Sequence, residues 1–487
     1  MLKKNKINFY TVFIIIIFLI ALTLRVFLGF LNQESNDDHM QIIYIILYKN
    51  IIPHLTDCWE CFQPKFYHLL CATIFKLFLV NPKDMITIAQ MVNVIAGMLT
   101  ILIVYLFLNK ITSNKKIKLI ILALTAFNPG LIAVNIQATN DSLAILFSCI
   151  ATYFFYLFII SLKIKHFIPA TVSLILAIIT KGTAVPLFLS FIVIFFIKII
   201  TLHNRKYRRS LIKFLIFFVI LIFITVPFLG EYYYSFKHYK NAFVTNMPPY
   251  PLPKEIDYSS AYKIIINPQV FSYLNPDKND SGPTKSFYIL HYRAGVTSII
   301  DSYFTFRIFE LIKEPKITHH RLPMQLHRTS LWTQLYGRLN VIQFASWPHS
   351  WETFKPWILN ISRTIFILAL IPLFIFIFGF ISAIIDYIRK IRNNSLDTNN
   401  SELFLIIVLF YIIFIIYFTA IYRDFGCMRI EYILPGMLAF LALFTKGFEK
   451  IEKKIDNKIF TFILYFILII LIILYIIDII ALIIELL

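Results

Sequence analysis

The chain has 487 residues, 59% of them hydrophobic and only 15% charged, with a mean hydropathy of +0.76. Soluble domains carry about 25% charged residues, so this composition excludes a soluble globular protein. Lys and Arg number 46 against 26 Asp and Glu, a net charge of +20; in a membrane protein that excess belongs in cytoplasmic loops, and no nucleic-acid partner is expected.

Basic residues open the chain, and Phe9 to Leu31 follows as an apolar run too long for a signal peptide. Asn32-Gln-Glu-Ser-Asn36 is no small-residue cleavage site, so this run reads as the first transmembrane helix, its basic end in the cytoplasm. His39 to Ile52 reads as an amphipathic segment on the membrane surface. Phe66 to Val80 is too short to cross a hydrocarbon core about 30 Å thick. If it crossed together with Ile86 to Leu108, the Lys115-Lys116-Ile-Lys118 cluster would fall outside, so it reads as a second juxtamembrane helix.

Beyond that point basic loops and apolar runs alternate without adjustment. The crossings are Ile117–Val134, Ser142–Leu162, Phe167–Thr180, Val185–Ile200, Leu211–Leu229, Trp357–Tyr387, Leu403–Ala420, Ile430–Phe444 and Ile459–Leu487. With the first helix and Ile86–Leu108 the expectation is an all-α polytopic membrane protein of about eleven crossings, with the C-terminus outside. Three regions follow: an N-terminal transmembrane catalytic module over 1–229, including a first outer loop at 32–85; a large outer loop over 230–355; and C-terminal transmembrane helices over 356–487.

Five cysteines make no dense disulfide framework. Cys58-Trp-Glu-Cys61 is the one close pair, read as a local disulfide or two plain thiols because the two further ligands of a zinc site are missing. No metal ligands are assigned.

This topology gathers chemistry on the non-cytoplasmic face. Asp37-Asp38-His39 directly follows the first helix; adjacent carboxylates repel, which raises one pKa toward the range of a general base. Then come Glu60 and Gln63-Pro-Lys-Phe-Tyr67-His68, Asn128-Pro129 through Asn140-Asp141-Ser142, Thr180-Lys181-Gly-Thr183, and Met428-Arg429-Ile-Glu-Tyr432-Ile-Leu-Pro435.

In this order the motifs resemble the GT-C superfamily of membrane glycosyltransferases, most of all the protein O-mannosyltransferases and the lipid A aminoarabinose transferases. The chain departs from their patterns at Lys65 and His68; Arg429 stands at a lysine position and Glu431 at an arginine position. The resemblance implies a GT-C-like fold and a sugar donor on a polyprenyl phosphate, with membrane lipids around it. It makes Asp37 or Asp38 the base, with Asp38 favoured. It makes Glu60, Gln63, Tyr67, Asn140, Asp141, Lys181, Arg429 and Tyr432 the substrate-binding set, with Glu60 binding the acceptor or a divalent cation and Lys181 and Arg429 the lipid phosphate. No other cofactor is assigned. Lipid, glycan and protein stay open as acceptors, as do the cell membrane and, in a eukaryote, the ER membrane.

Trp332, Tyr336, Arg338 and Trp347 of the large loop offer surfaces for stacking on sugars, or else anchor at the interface, and Asn279-Asp-Ser281 is a glycosylation sequon. The rival from another class is a secondary transporter, which would carry its polar residues near the midplane and in repeated halves. No repeat is visible here. A non-catalytic GT-C subunit is the third reading, and the acidic pair argues against it.

Overall fold

The computed structural model describes residues 9–32, 39–54, 57–58, 60–201, 205–223, 225, 229–230, 232–233, 237, 299–315, 330–342, 356–392, 401–421, 428–455 and 457–487. Every regular element among them is helical. The first four helices are α1 (Phe9–Leu31), α2 (His39–Lys49), α3 (Phe66–Leu77) and α4 (Met85–Ile111). With 12 residues, α3 rises only about 18 Å, short of a bilayer core. It packs against α2 around Met40, Ile43, Tyr67, Cys71 and Phe75.

The expected single crossing Ile117–Val134 is instead two helices, α5 (Lys115–Ala126) and α6 (Pro129–Asn135), bent by 50°. Pro129 lacks the amide that would continue the ladder and disfavours helical backbone at the preceding residue. Asn128 accordingly sits at ψ 120° and caps α6, its side chain accepting from the Leu131 amide at 2.9 Å. The break frees the Ala126 carbonyl, and Arg25 of α1 donates to it from Nη1 at 2.8 Å. Arg25 is fully buried, and its Nε donates to Asn135 Oδ1 at 3.0 Å. Only a glycine lets α4 pass this junction: a Cβ on Gly97 would lie 2.3 Å from Asn135 Oδ1.

Next come α7 (Asp141–Ser161) and α8 (Ile164–Thr180), packed along each other, then α9 (Val185–Thr201) and α10 (Arg205–Phe223). The expected crossing Leu211–Leu229 thus begins a turn and a half earlier, inside the basic stretch. From the large loop the structure describes α11 (Ile299–Tyr303), α12 (Ile308–Lys313) and α13 (Leu331–Asn340), the last packed on α6. The C-terminal part holds α14 (Pro356–Leu368), α15 (Leu370–Arg392), α16 (Ser401–Ile421), α17 (Met437–Lys454) and α18 (Lys458–Leu486).

The expected helix Ile430–Phe444 needs correcting. Two 3-10 turns, Ile430–Tyr432 and Leu434–Gly436, precede α17, because Pro435 and Gly436 interrupt regular helix. The helix then runs on to Lys454, through the basic stretch, since Gly447 and Phe448 give it a buried face. At Gly379 and Gly447 the backbones of α15 and α17 touch: a Cβ on either would lie 2.0 or 2.1 Å from a carbonyl of the other helix. Small residues serve this close approach between membrane helices.

Among the described residues seven helical spans, α14 and α15 counted as one, are long and apolar enough to cross a membrane, and the bent α5–α6 pair makes an eighth if it is one span. The chain is a multi-pass membrane protein. Helices α8, α10 and α17 stand at the other three expected crossings; α8 is short, while α10 and α17 carry charged ends, so the expectation of eleven goes beyond what length and apolarity establish. One end of the bundle joins the expected cytoplasmic loops. There Asn114 Nδ2 donates to Glu452 at 2.7 Å, Thr112 donates to Glu449, and Lys446 and Lys450 hold Asp386 at 2.9 and 2.8 Å.

Candidate active site

The opposite end collects the residues of the motifs. The 136–140 segment between α6 and α7 is fixed by Asn93 of α4, whose Nδ2 donates to the Gln137 and Thr139 carbonyls, each at 2.6 Å. Ser142 Oγ donates to the Val134 carbonyl and accepts from Asn135 Nδ2, both at 3.0 Å. Through Asn135 the start of α7 is therefore tied to Arg25. That start carries Asn140 and Asp141.

Lys181 caps the far end of α8, and its Nζ lies 2.7 Å from both carboxylate oxygens of Asp141. The two side chains are 11% and 9% exposed. Asn140 Nδ2 donates to the Thr180 carbonyl at 3.0 Å and to Gln63 Oε1 at 2.8 Å, and Gln63 Nε2 donates to Glu60 Oε2 at 2.6 Å. Cys58 and Cys61 form a disulfide, one of the two states the sequence allowed, and so close the turn that carries Glu60. Lys65 donates to the carbonyls of Cys61 and Gln63. On the other side the Tyr432 ring faces Lys181, with Nζ 5.9 Å from its centroid. Arg429 Nη1 lies 4.0 Å from Glu431 Oε1.

Glu60, Gln63, Asn140, Asp141, Lys181 and Tyr432 thus form one continuous network, with Arg429 on the segment leading into Tyr432. Tyr67 turns inward. It is fully buried, donating its hydroxyl to the Ala89 carbonyl at 3.2 Å. Asp37 and Asp38 lie outside the described residues, as do Trp347 and Asn279. The sugar-stacking role offered for the other large-loop residues meets a correction. Tyr336 is buried with its hydroxyl on the Phe366 carbonyl, Arg338 is buried against Gln334 Oε1 at 3.3 Å, and Trp332 Nε1 donates to the Tyr303 carbonyl at 2.8 Å. These side chains hold the loop helices together.

Two features escaped the sequence reading. One is Arg25, a lone charge inside an apolar run. The other is a pair of histidines: His39 Nδ1 lies 2.9 Å from His68 Nε2. Burial holds both imidazoles well below the usual 6.5; the charges of Lys181, Arg429 and Lys65 push His39 further down, and those of His39, Lys65 and Lys181 do the same to His68. The signal was in the motifs, since His39 follows the acidic pair and His68 is a departure from the family pattern. Among the described residues no group of three His, Cys, Asp or Glu gathers as a metal cage.

A helical membrane bundle with a buried polar network at the end opposite the expected cytoplasmic loops is the class this arrangement defines. Residues 63–229 match the model of the family described as dolichyl-phosphate-mannose-protein mannosyltransferase. That segment contains Gln63, Tyr67, Asn140, Asp141 and Lys181, five of the positions named in the GT-C resemblance; the acidic pair and the Arg429 segment lie outside it. No curated protein matches the chain by sequence. Similar solved structures include the archaeal oligosaccharyltransferase AglB from Archaeoglobus fulgidus, in complex with an inhibitory peptide and a dolichol-phosphate, at 13% identity and a TM-score of 0.46, covering 96% of this chain and 55% of that one. Another is ArnT from Cupriavidus metallidurans bound to undecaprenyl phosphate, at 11% identity and a TM-score of 0.36, covering 90% of this chain and 78% of that one. The chain spans about half the length of the oligosaccharyltransferase it resembles.

Proposed function

We propose that this chain is a glycosyltransferase that moves a sugar from a polyprenyl-phosphate donor to a hydroxyl acceptor at the non-cytoplasmic membrane surface. The observation that carries the reading is the network at one end of the bundle, Glu60–Gln63–Asn140 beside Asp141–Lys181–Tyr432, in which Gln63, Asn140, Asp141 and Lys181 lie within the family match and Glu60 and Tyr432 join them from outside it.

In this reaction the acceptor oxygen attacks the anomeric carbon as the bond from that carbon to the phosphate oxygen breaks. Asp38 or Asp37, directly preceding His39 in the chain, takes the acceptor proton. Arg429 and Lys181 hold the phosphate, whose charge grows as the bond breaks. Glu60 and Gln63 line the acceptor side, and Tyr432 fixes the direction of the Lys181 ammonium. Tyr67, enclosed between α3 and α4, acts by holding α3 in place. The transferred sugar is a hexose or pentose. The N-terminus is cytoplasmic, and the membrane is the cell membrane, or the ER membrane in a eukaryote.

The test is a thermal-shift screen of polyprenyl-phosphate sugars on the purified protein in nanodiscs, followed by turnover of those that stabilise it. A donor that stabilises and is consumed supports the reading. Stabilisation by water-soluble solutes alone would instead point to a carrier. The polar network at the bundle end, away from the midplane, is unlike a carrier's substrate site.

A further inference from the structure

His39, the first residue of α2, and His68, in the first turn of α3, hold each other across the contact of the two juxtamembrane helices. Their rings stack with centroids 5.2 Å apart, and the 2.9 Å contact joins Nδ1 of one to Nε2 of the other. Two neutral imidazoles make that bond with a single hydrogen, one ring donating and the other accepting. The groups whose charges reach them are Lys65 just before α3, Lys181 at the end of α8, on which α3 packs, and Arg429, with Tyr67 edge-on to His68; Lys181 is paired with Asp141, and Arg429 lies 4.0 Å from Glu431. Three cations therefore act on two rings that are 2% and 0% exposed, an environment that disfavours further positive charge. His68 also has a hydrogen bond to the backbone of Pro64, which favours its protonated form. The pair can thus accept one more proton without breaking its internal bond.

An anion at Lys181 and Arg429 changes this balance, because it offsets the charges that keep the rings neutral. We propose that the His39–His68 pair takes up a proton from solvent when a lipid phosphate binds beside Lys181 and Arg429, so that the departing phosphate meets an imidazolium. The proposal rests on the glycosyltransferase reading. A polyprenyl-phosphate sugar is a phosphodiester with one negative charge. When the sugar–oxygen bond breaks, its electron pair stays on the phosphate, giving a monoester whose second ionisation lies at about pH 6. The proton binds a ring-nitrogen lone pair, forms no other bond, and returns to solvent when the lipid phosphate leaves. Binding linkage is reciprocal, so protons raise donor affinity by the same factor as the donor raises proton affinity.

The experiment uses the full chain in nanodiscs with undecaprenyl phosphate as the probe. Calorimetry near pH 6.5 in two buffers of different ionisation heat counts the protons taken up. The wild type is expected to take up as much as about one proton more than His39→Gln or His68→Gln. Its Kd should tighten by up to about tenfold per pH unit as the pH falls from about 7.5 to about 6, and the dependence should be flatter in both variants. Equal uptake by wild type and variants assigns the proton to the lipid phosphate itself; that overturns the proposal and leaves the glycosyltransferase reading standing. A wild-type Kd that is flat over this range overturns it in the same way, even if neither variant folds. Absence of binding at every pH overturns both.

Discussion

The Lys181 ammonium sits 2.7 Å from each carboxylate oxygen of Asp141. A lysine at a helix end that merely reached for the interface would be indifferent to its partner. This one is committed. Lys181→Ala leaves a buried carboxylate unpaired and should cost about 3–5 kcal/mol of stability. Thermal unfolding in detergent measures this, and the double variant Lys181→Met with Asp141→Asn should recover most of the loss without recovering transfer. Donor affinity should fall less than in Arg429→Ala.

Arg429 sits before the first 3-10 turn with Glu431 nearby. A guanidinium grips phosphate through two parallel hydrogen bonds, whereas an ammonium acts as a point charge. Arg429→Ala should weaken donor binding by roughly 10- to 150-fold, the equivalent of ~1.5–3 kcal/mol in charge-assisted hydrogen bonds, while Arg429→Lys keeps part of the activity. Donor binding and turnover of purified variants decide it. Unchanged values in Arg429→Ala would reduce the arginine to an interfacial anchor.

Asp37→Asn or Asp38→Asn should slow transfer by at least about 100-fold, the low end of what a general base contributes. One substitution should matter much more than the other, with little change in melting temperature. Near-normal transfer by both single variants and the double variant would return the pair to the role of a loop start.

The histidine pair makes a separate prediction about pH. Both rings titrate well below 6.5 in the folded protein. The unfolded chain therefore binds protons that the folded chain refuses once the pH drops below about 6.5. Stability is fully present above that pH and falls as the pH drops toward the folded-state values, by at most about 1.4 kcal/mol per pH unit for each ring. Melting temperatures between about pH 7.5 and pH 5 should show this slope, and His39→Gln should flatten it. An equal slope in the variant would locate the acid sensitivity elsewhere.

Topology is testable too. Asn114 meets Glu452, so positions 115 and 453 share one side, opposite to Lys181 and Arg429. Single-cysteine labelling in a background without native cysteines should modify positions 115, 208, 392 and 453 from the cytoplasm and positions 38, 140, 279 and 429 from outside. Position 38 reacting only from the cytoplasm would undo the functional reading.

Much of this was legible in the sequence because apolar runs and basic loops record the membrane directly. The ends of α1, α7 and α9 fall within a residue of the expected crossings. What stayed hidden depended on partners distant in the chain. The bend at Pro129 disappears when hydropathy is averaged along the run, and the group that makes it tolerable, Arg25, lies 101 residues before the carbonyl it binds. Tyr336 and Arg338 looked like a ligand surface because composition cannot say which face of a loop helix is covered. The motif residues were easier: each is polar at the edge of an apolar run, where a functional side chain stands out. His39 and His68 stand at such edges as well, but only the packing of α2 on α3 makes them a pair.

The Arg25 contact also constrains how the chain can be assembled in a bilayer. A span interrupted at Pro129 presents an open carbonyl to hydrocarbon, at a cost of several kcal/mol, and a guanidinium alone in α1 carries its own penalty of ~2.5–3.5 kcal/mol. Each liability is answered by the other. In the folded bundle the same guanidinium, through Asn135, also ties the start of α7 to both.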